Sequence, residues 1–198
     1  RDRDARPGAA PCPGGRPGVH HTDRRRALGQ QATGPAGHAR RHAGRDRLAP
    51  FQSVRWDKAF AYLQEEELDL APLQAEAVQA ALTHKITILT GGPGTGKTYT
   101  LRAILKLLTA RKHSVLLAAP TGRAAKRMTE ATGHPAKTLH RLLEFKPGQS
   151  FIRDEQNPLD ADMIIVDETS MIDLLLMNSL MKAVDVGSHL LLVGDVDQ

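Results

Sequence analysis

Residues 85–98, "KITILTGGPGTGKT", restrict the possible folds more than any other stretch of the chain. The β-branched run 85–90 reads as a strand. From Gly96 onward, "GKTYTLRAILKLLTARK" places Leu101, Ile104, Leu105 and Leu108 at i, i+3, i+4 and i+7, with Arg102 and Lys106 off that face. That spacing is an amphipathic helix. Between strand and helix lies Gly91–Thr98, which fits G-x-x-x-x-G-K-[ST]. The pattern has a physical cause. Gly91, Gly92, Gly94 and Gly96, with Pro93 and Thr95 between them, let backbone N–H groups turn inward around phosphate oxygens without a Cβ clash. The helix starting at Lys97, Thr98 and Tyr99 adds its N-terminal dipole. Lys97 is placed to reach β- and γ-phosphates, and the Thr98 hydroxyl to bind Mg²⁺. ATP and Mg²⁺ are therefore the expected ligands.

The rest of the chain alternates in the same way. "SVLLAAP" (114–120), "DMIIVDE" (162–168) and "SHLLLVGD" (188–195) read as buried strands. "GRAAKRMTEATG", closed by Gly133, "AKTLHRLLEF" and "MIDLLLMNSLMKAV" read as helices, and 146–158 as a loop or hairpin. Upstream, "VRWDKAFAYLQEEELDL" reads as a packing helix with Trp56 as an anchor. "LAPLQAEAVQAALTH" starts at Pro72, with Leu73, Ala77, Val78 and Leu82 expected on one face. Apolar strands alternating with helices predict an α/β fold of the P-loop NTPase class, a parallel sheet with helices on both faces. Asp167 and Glu168 then arrive at the carboxyl edge of the sheet, where such sheets bind ligands. Asp167 is expected to hold Mg²⁺ through a water, and Glu168 to orient and deprotonate the attacking water.

Charge is unevenly distributed. The net +5 comes from residues 1–50, which hold 11 Arg, no Lys and 4 Asp; residues 51–198 carry a net −2. Residues 1–50 also hold 8 Gly and 6 Pro but only Val19, Leu28 and Leu48 as large aliphatics, too little apolar surface to offset the entropy of ordering. They are expected to be disordered. Their alphabet matches a GC-rich gene read out of frame, which favours a non-native leader over a basic phosphate-gripping arm. His20, His21, His38 and His42 lack the spacing of a metal site. Cys12 is the single cysteine, and no apolar run nears the ~20 residues that cross a bilayer. No membrane attachment and a cytoplasmic location are expected.

Five blocks in order, "GGPGTGKT" (91–98), "AAPTGRAAKRM" (118–128), "KTLHRLL" (137–143), "IIVDETSMID" (164–173) and "LLLVGDVDQ" (190–198), resemble the RecD-like DNA helicases of superfamily 1. The resemblance implies a RecA-like motor domain over 85–198, a helical connector over 51–84, and 5′→3′ translocation on single-stranded DNA with separation of duplex junctions. It implies that Gln74 reads adenine, against the alternative of a helix-surface glutamine. It implies that Pro120, Thr121, Gly122 and Arg123 touch the strand backbone, where the alternative is an N-cap by Thr121 and a solvated Arg123. Thr138 and His140 would lie along the same path, although a histidine alone is more often packed or on the surface. Asp195 and Gln198 match a G-D-x-x-Q block whose glutamine senses the γ-phosphate.

Two positions depart from the family's pattern: Thr169 stands where Ala is more common, with little change expected, and Tyr99 where Thr is usual. The family continues into a second RecA-like domain carrying an arginine for the transferring phosphoryl group. Without it, this chain is expected to be a partial motor, cut at the G-D-x-x-Q block, that binds ATP–Mg²⁺ weakly and hydrolyses it poorly. Two rival readings are the helicase half of a conjugative relaxase and a non-catalytic, nucleotide-gated DNA-binding protein.

Overall fold

The computed structural model describes residues 54–148 and 150–195. The expected leader with its histidines, and Gln198, lie outside the described residues. In chain order the elements are α1 (Trp56–Glu65), α2 (Pro72–Thr83), β1 (Ile86–Thr90), α3 (Lys97–Ala110), β2 (Val115–Ala119), α4 (Gly122–Thr132) and β3 (Ala136–Thr138). Then follow α5 (Leu139–Leu142), β4 (Met163–Val166), a 3-10 turn (Thr169–Met171), α6 (Leu174–Ala183) and β5 (His189–Gly194). The sheet runs β1-β5-β4-β2-β3, and every pairing is parallel. The α/β architecture expected from the alternation is therefore present.

β4 lies at the centre and is buried at all four positions. Its side chains alternate between two cores. Met163 and Ile165 join Leu117, Leu191 and Val193 beneath α1, α2 and α3. Ile164 and Val166 join Ala118 and Leu190 beneath α5 and α6. Residues 54–84 share the first core: Ala59, Leu63, Val78 and Leu82 pack with Leu101, Ile104, Leu105 and Leu108 of α3. Trp56 packs as expected, its ring 5.8 Å from that of Phe60.

Three expectations need correction. Residues 136–138 form an edge strand paired to β2 rather than the start of a helix. Thr138 is extended, and its hydroxyl oxygen accepts the Arg141 N–H at 3.3 Å, so the helix begins one residue later. Leu73 is 79% exposed, because the buried face of α2 is set by Val78, Ala81 and Leu82, and Leu73 in the first turn points well away from it. β1 is not covered on both faces: Ile86 and Ile88 alternate outward, 51% and 65% exposed.

The amino edge of the sheet is pinned by polar groups. Asp162 is buried, and its carboxylate accepts the Ser114 N–H at 2.8 Å and the Ser114 hydroxyl at 3.1 Å. His113 Nδ1 sits 3.3 Å from the same oxygen. Fully buried His189 donates from Nδ1 to the His84 carbonyl at 2.7 Å. Burial, with the nearby Lys85 charge, pushes His189 from its ordinary 6.5 down to about 4. The folded state refuses a proton that the unfolded chain accepts. This stabilising contribution is full above pH 6.5 and is lost as pH falls toward 4. His189→Asn keeps an N–H for the His84 carbonyl but does not titrate. Melting followed by circular dichroism should show a steeper loss of Tm from pH 7 to pH 5 in the wild type than in H189N; equal slopes would place the titration elsewhere.

Candidate functional site

The parallel register brings all five strand ends to one edge, in the spatial order β1, β5, β4, β2, β3. β1 delivers the glycine-rich loop, β5 delivers Asp195, and β4 delivers Asp167 and Glu168. β2 delivers Pro120 and Thr121, and β3 ends at Thr138. The residues expected to meet nucleotide and those expected to meet a strand thus occupy neighbouring halves of one edge. Glu168 stands at the border.

The loop closes on itself. Thr95 donates its hydroxyl to the Gly92 carbonyl at 2.9 Å, and a Cβ at Gly91 would stand 2.7 Å from that hydroxyl. Gly94 and Gly96 have φ of 78° and 84°, backbone that only glycine adopts without strain. Gly96 caps α3, whose first N–H groups point into the loop. Lys97 folds back: its Nζ donates to the Gly91 carbonyl and, at 2.8 Å, to the Gly92 carbonyl, and lies 3.8 Å from Asp195. Lys97, Thr98, Leu101, Asp167, Glu168, Val193, Gly194 and Asp195 line one pocket. A second hollow follows Gly92–Tyr99 with Arg102 and Ala131.

The donor set suits Mg²⁺, a hard cation that takes oxygen ligands: the Thr98 hydroxyl and the carboxylates of Asp167 and Asp195. Asp195 Oδ1 is buried and has no hydrogen-bond partner among the described residues, so it retains an open acceptor. The glycine cradle with Lys97 suits a polyphosphate. Asp167 is already oriented, its N–H donating to the Ala118 carbonyl at 3.0 Å and its Oδ1 accepting from Glu168 N at 2.9 Å.

Gln74 lies against this loop, its side-chain amide occupying the space a Cβ on Gly96 would need. Its Oε1 meanwhile accepts the Ala71 N–H at 3.0 Å and so caps α2. The partly buried Tyr99 side chain packs against the first core, and its hydroxyl donates to the Glu67 carbonyl at 3.4 Å. The bland alternatives for the strand block are also present. Thr121 accepts the Ala124 N–H at 3.2 Å as an N-cap, and Arg123 is exposed. The exposed His140 ring packs on Phe145 and Phe151, at 5.6 and 5.9 Å. None of these contacts consumes the exposed faces of Arg123 or His140.

Two further residues matter here: Thr169, whose departure from the family's Ala was expected to change little, and Arg127, to which the sequence reading gave no role. The Thr169 hydroxyl donates to the Val193 carbonyl at 3.0 Å, tying the turn after Glu168 to β5; an alanine has no such bond. Arg127 on α4 ion-pairs with Glu168. The signals for Arg127 were its place inside the 118–128 block and its position one turn beyond Arg123, on the same helix face.

A parallel sheet carrying this cradle, with acidic residues at the next two strand ends, defines a P-loop nucleotide-binding domain. The chain belongs to the AAA domain family, which it matches over residues 74–198. It is 44% identical over 148 residues to the RecBCD enzyme subunit RecD of Mycobacterium tuberculosis, covering 63% of this chain and 26% of that protein. It is 46% identical over 129 residues to the ATP-dependent RecD2 DNA helicase of Deinococcus radiodurans, covering 65% of this chain and 18% of that protein. Among solved structures, the Pif1 helicase of Candida albicans superposes with a TM-score of 0.52 at 28% identity, over 66% of this chain and 33% of that one. The likeness to RecD-type helicases that the motif blocks carried therefore holds. The chain spans about a quarter of the mycobacterial relative's length and less of the deinococcal one. No helix among the described residues is long and apolar enough to cross a membrane.

The Thr169 tether predicts a coupling. A Cβ on Gly194 would stand 2.7 Å from the Thr169 hydroxyl. Gly194→Ala should destabilise the domain by about 1–3 kcal/mol through overpacking, and T169A should relieve part of that loss. Urea unfolding of the two single variants and the double variant measures it. Strict additivity would show that the two positions do not interact.

Proposed function

We propose that this chain is the ATP-binding lobe of a DNA helicase that moves 5′→3′ along single-stranded DNA and uses Mg²⁺-dependent ATP hydrolysis to separate strands. One observation carries the reading: Lys97 and Thr98 share a pocket with Asp167, Glu168 and Asp195, gathered from three adjacent strand ends. Residues 85–198 would form the first motor lobe and 51–84 a connector that brings Gln74 to the loop. In that reading Gln74 meets adenine after giving up its cap on Ala71. The backbone N–H groups of Gly91–Tyr99, Pro93 excepted, and the Lys97 ammonium hold the phosphates, Lys97 exchanging the Gly91 and Gly92 carbonyls for phosphate oxygens. Thr98 and Asp167 hold Mg²⁺. When bound, the metal neutralises charge that develops on the phosphate oxygens. Glu168 orients water and takes its proton.

Pro120, Thr121, Gly122, Arg123, Thr138 and His140 form the strand side, with Gln198 as the γ-phosphate sensor that couples the two sides. The strand contacts are to the sugar–phosphate backbone and are not sequence-specific. The polarity and the second RecA-like lobe rest on likeness to RecD-type proteins, one of which bears the name ATP-dependent DNA helicase. Intact Lys97, Asp167 and Glu168 favour this reading over a non-catalytic nucleotide-gated binder.

Hydrolysis of radiolabelled ATP with protein in excess, with and without oligothymidine, tests the proposal. The expected result is a Mg²⁺-dependent rate that DNA raises and that Lys97→Ala lowers by at least about 100-fold, as for loss of a major phosphate-stabilising group. Glu168→Gln should retain ATP binding and lose hydrolysis. A DNA-stimulated rate unchanged in K97A would remove the motor reading.

A further inference from the structure

Among the described residues, Glu168 is the one acid at the nucleotide pocket whose carboxylate is held by a residue from the strand side of the edge. Its partner is the Arg127 guanidinium, from a helix that starts at the end of β2. Glu168 is also unusual in backbone: its φ of 54° is left-handed, a conformation that costs an ordinary residue about 1–2 kcal/mol. The turn that follows is fixed at both ends. The Met171 N–H donates to the Glu168 carbonyl at 3.1 Å, and Thr169 is tied to Val193. The side chain is therefore presented from a rigid base, and what it faces is decided by its side-chain partner. That partner is replaceable. Arg127 is 63% exposed and Glu168 23%. A pair this open to solvent contributes about 0–1 kcal/mol, whereas a buried pair would resist separation by about 3–5 kcal/mol. Arg127 also lies one turn from Arg123 on α4, so the two guanidinium groups share a helix face. Arginine forks match phosphate as well as they match carboxylate.

We infer that Arg127 is a shared ligand: without nucleic acid it holds the Glu168 carboxylate, and with a single strand bound it takes a phosphodiester instead and frees Glu168 for the nucleotide side. Arg127 is a positioning residue for hydrolysis and a binding residue for the strand. The exchange makes hydrolysis wait for DNA. The inference rests on the proposed motor function.

A binding cycle on the full chain tests it without requiring turnover. Anisotropy of a labelled oligothymidine at low salt is measured for wild type, R127A, E168Q and R127A/E168Q. Removing the competing carboxylate in E168Q should tighten DNA binding about three- to fivefold, the size of an exposed ion pair. R127A should weaken it, and E168Q should have no effect in the R127A background. An equal E168Q effect in both backgrounds, or none in either, overturns the exchange. Single-turnover hydrolysis supplies a second readout: R127A should raise the DNA-free rate and lower the stimulation ratio with ATP affinity unchanged, and R127K should restore part of that ratio. An unchanged ratio in R127A overturns the inference while leaving the motor reading intact. A wild-type chain that does not bind oligothymidine overturns the motor reading itself, and the exchange with it.

Discussion

The in-register parallel pairing of β4 between β2 and β5 is the constraint on which the site depends. Ile164 is aligned with Leu116 on one side and Leu190 on the other, and Ile165 with Leu117 and Leu191. A slip of one residue would turn every β4 side chain to the opposite core. It would also displace Asp167 and Glu168 from the loop that carries Lys97. Full burial of β4 on both faces makes such a slip costly, because the two cores differ in the residues that β4 packs against. The chemistry at the carboxyl edge is therefore held by apolar packing some residues away, and the polar pins on Asp162 and His189 hold the amino edge.

Much of this was legible in the sequence, and the reasons differ by element. β2, β4 and β5 are uninterrupted apolar runs bounded by polar residues, and burial on both faces is what such runs require. α3 declared itself through Leu101, Ile104, Leu105 and Leu108, all of them buried. β3 was hidden because three residues carry no period, and Thr138 serves as both strand end and helix cap. Leu73 was misjudged because a first-turn apolar residue fits a helical template whether or not it meets the core. The phosphate loop and the Asp167–Glu168 pair could be found because each is contiguous in sequence. The Arg127–Glu168 pair spans 41 residues and the Thr169–Val193 bond 24, and no local pattern announces either.

Several of the polar groups placed to act are already engaged with the protein. Lys97 is held by loop carbonyls, Gln74 by the Ala71 N–H, Glu168 by Arg127, and Thr121 and Thr138 by helix N–H groups. In the proposed function a phosphate oxygen would replace a carbonyl at Lys97, and a phosphodiester would replace the Glu168 carboxylate at Arg127. Binding at either half then exchanges partners rather than exposing unpaired groups, which keeps the energetic differences between states small. Small differences between two arrangements are what allow one ligand to shift the other.

Because the strand block and the nucleotide cradle meet at Glu168, the account requires that the two ligands feel one another. Calorimetric titration of the chain with a non-hydrolysable ATP analogue and Mg²⁺, alone and with saturating oligothymidine, measures this directly. The reverse titration, of oligothymidine with and without the analogue, must return the same factor by thermodynamic linkage. The account predicts matching shifts of about fivefold or more in the two directions, within the usual range of coupling between sites. Two ligands that bind with no mutual effect would contradict it.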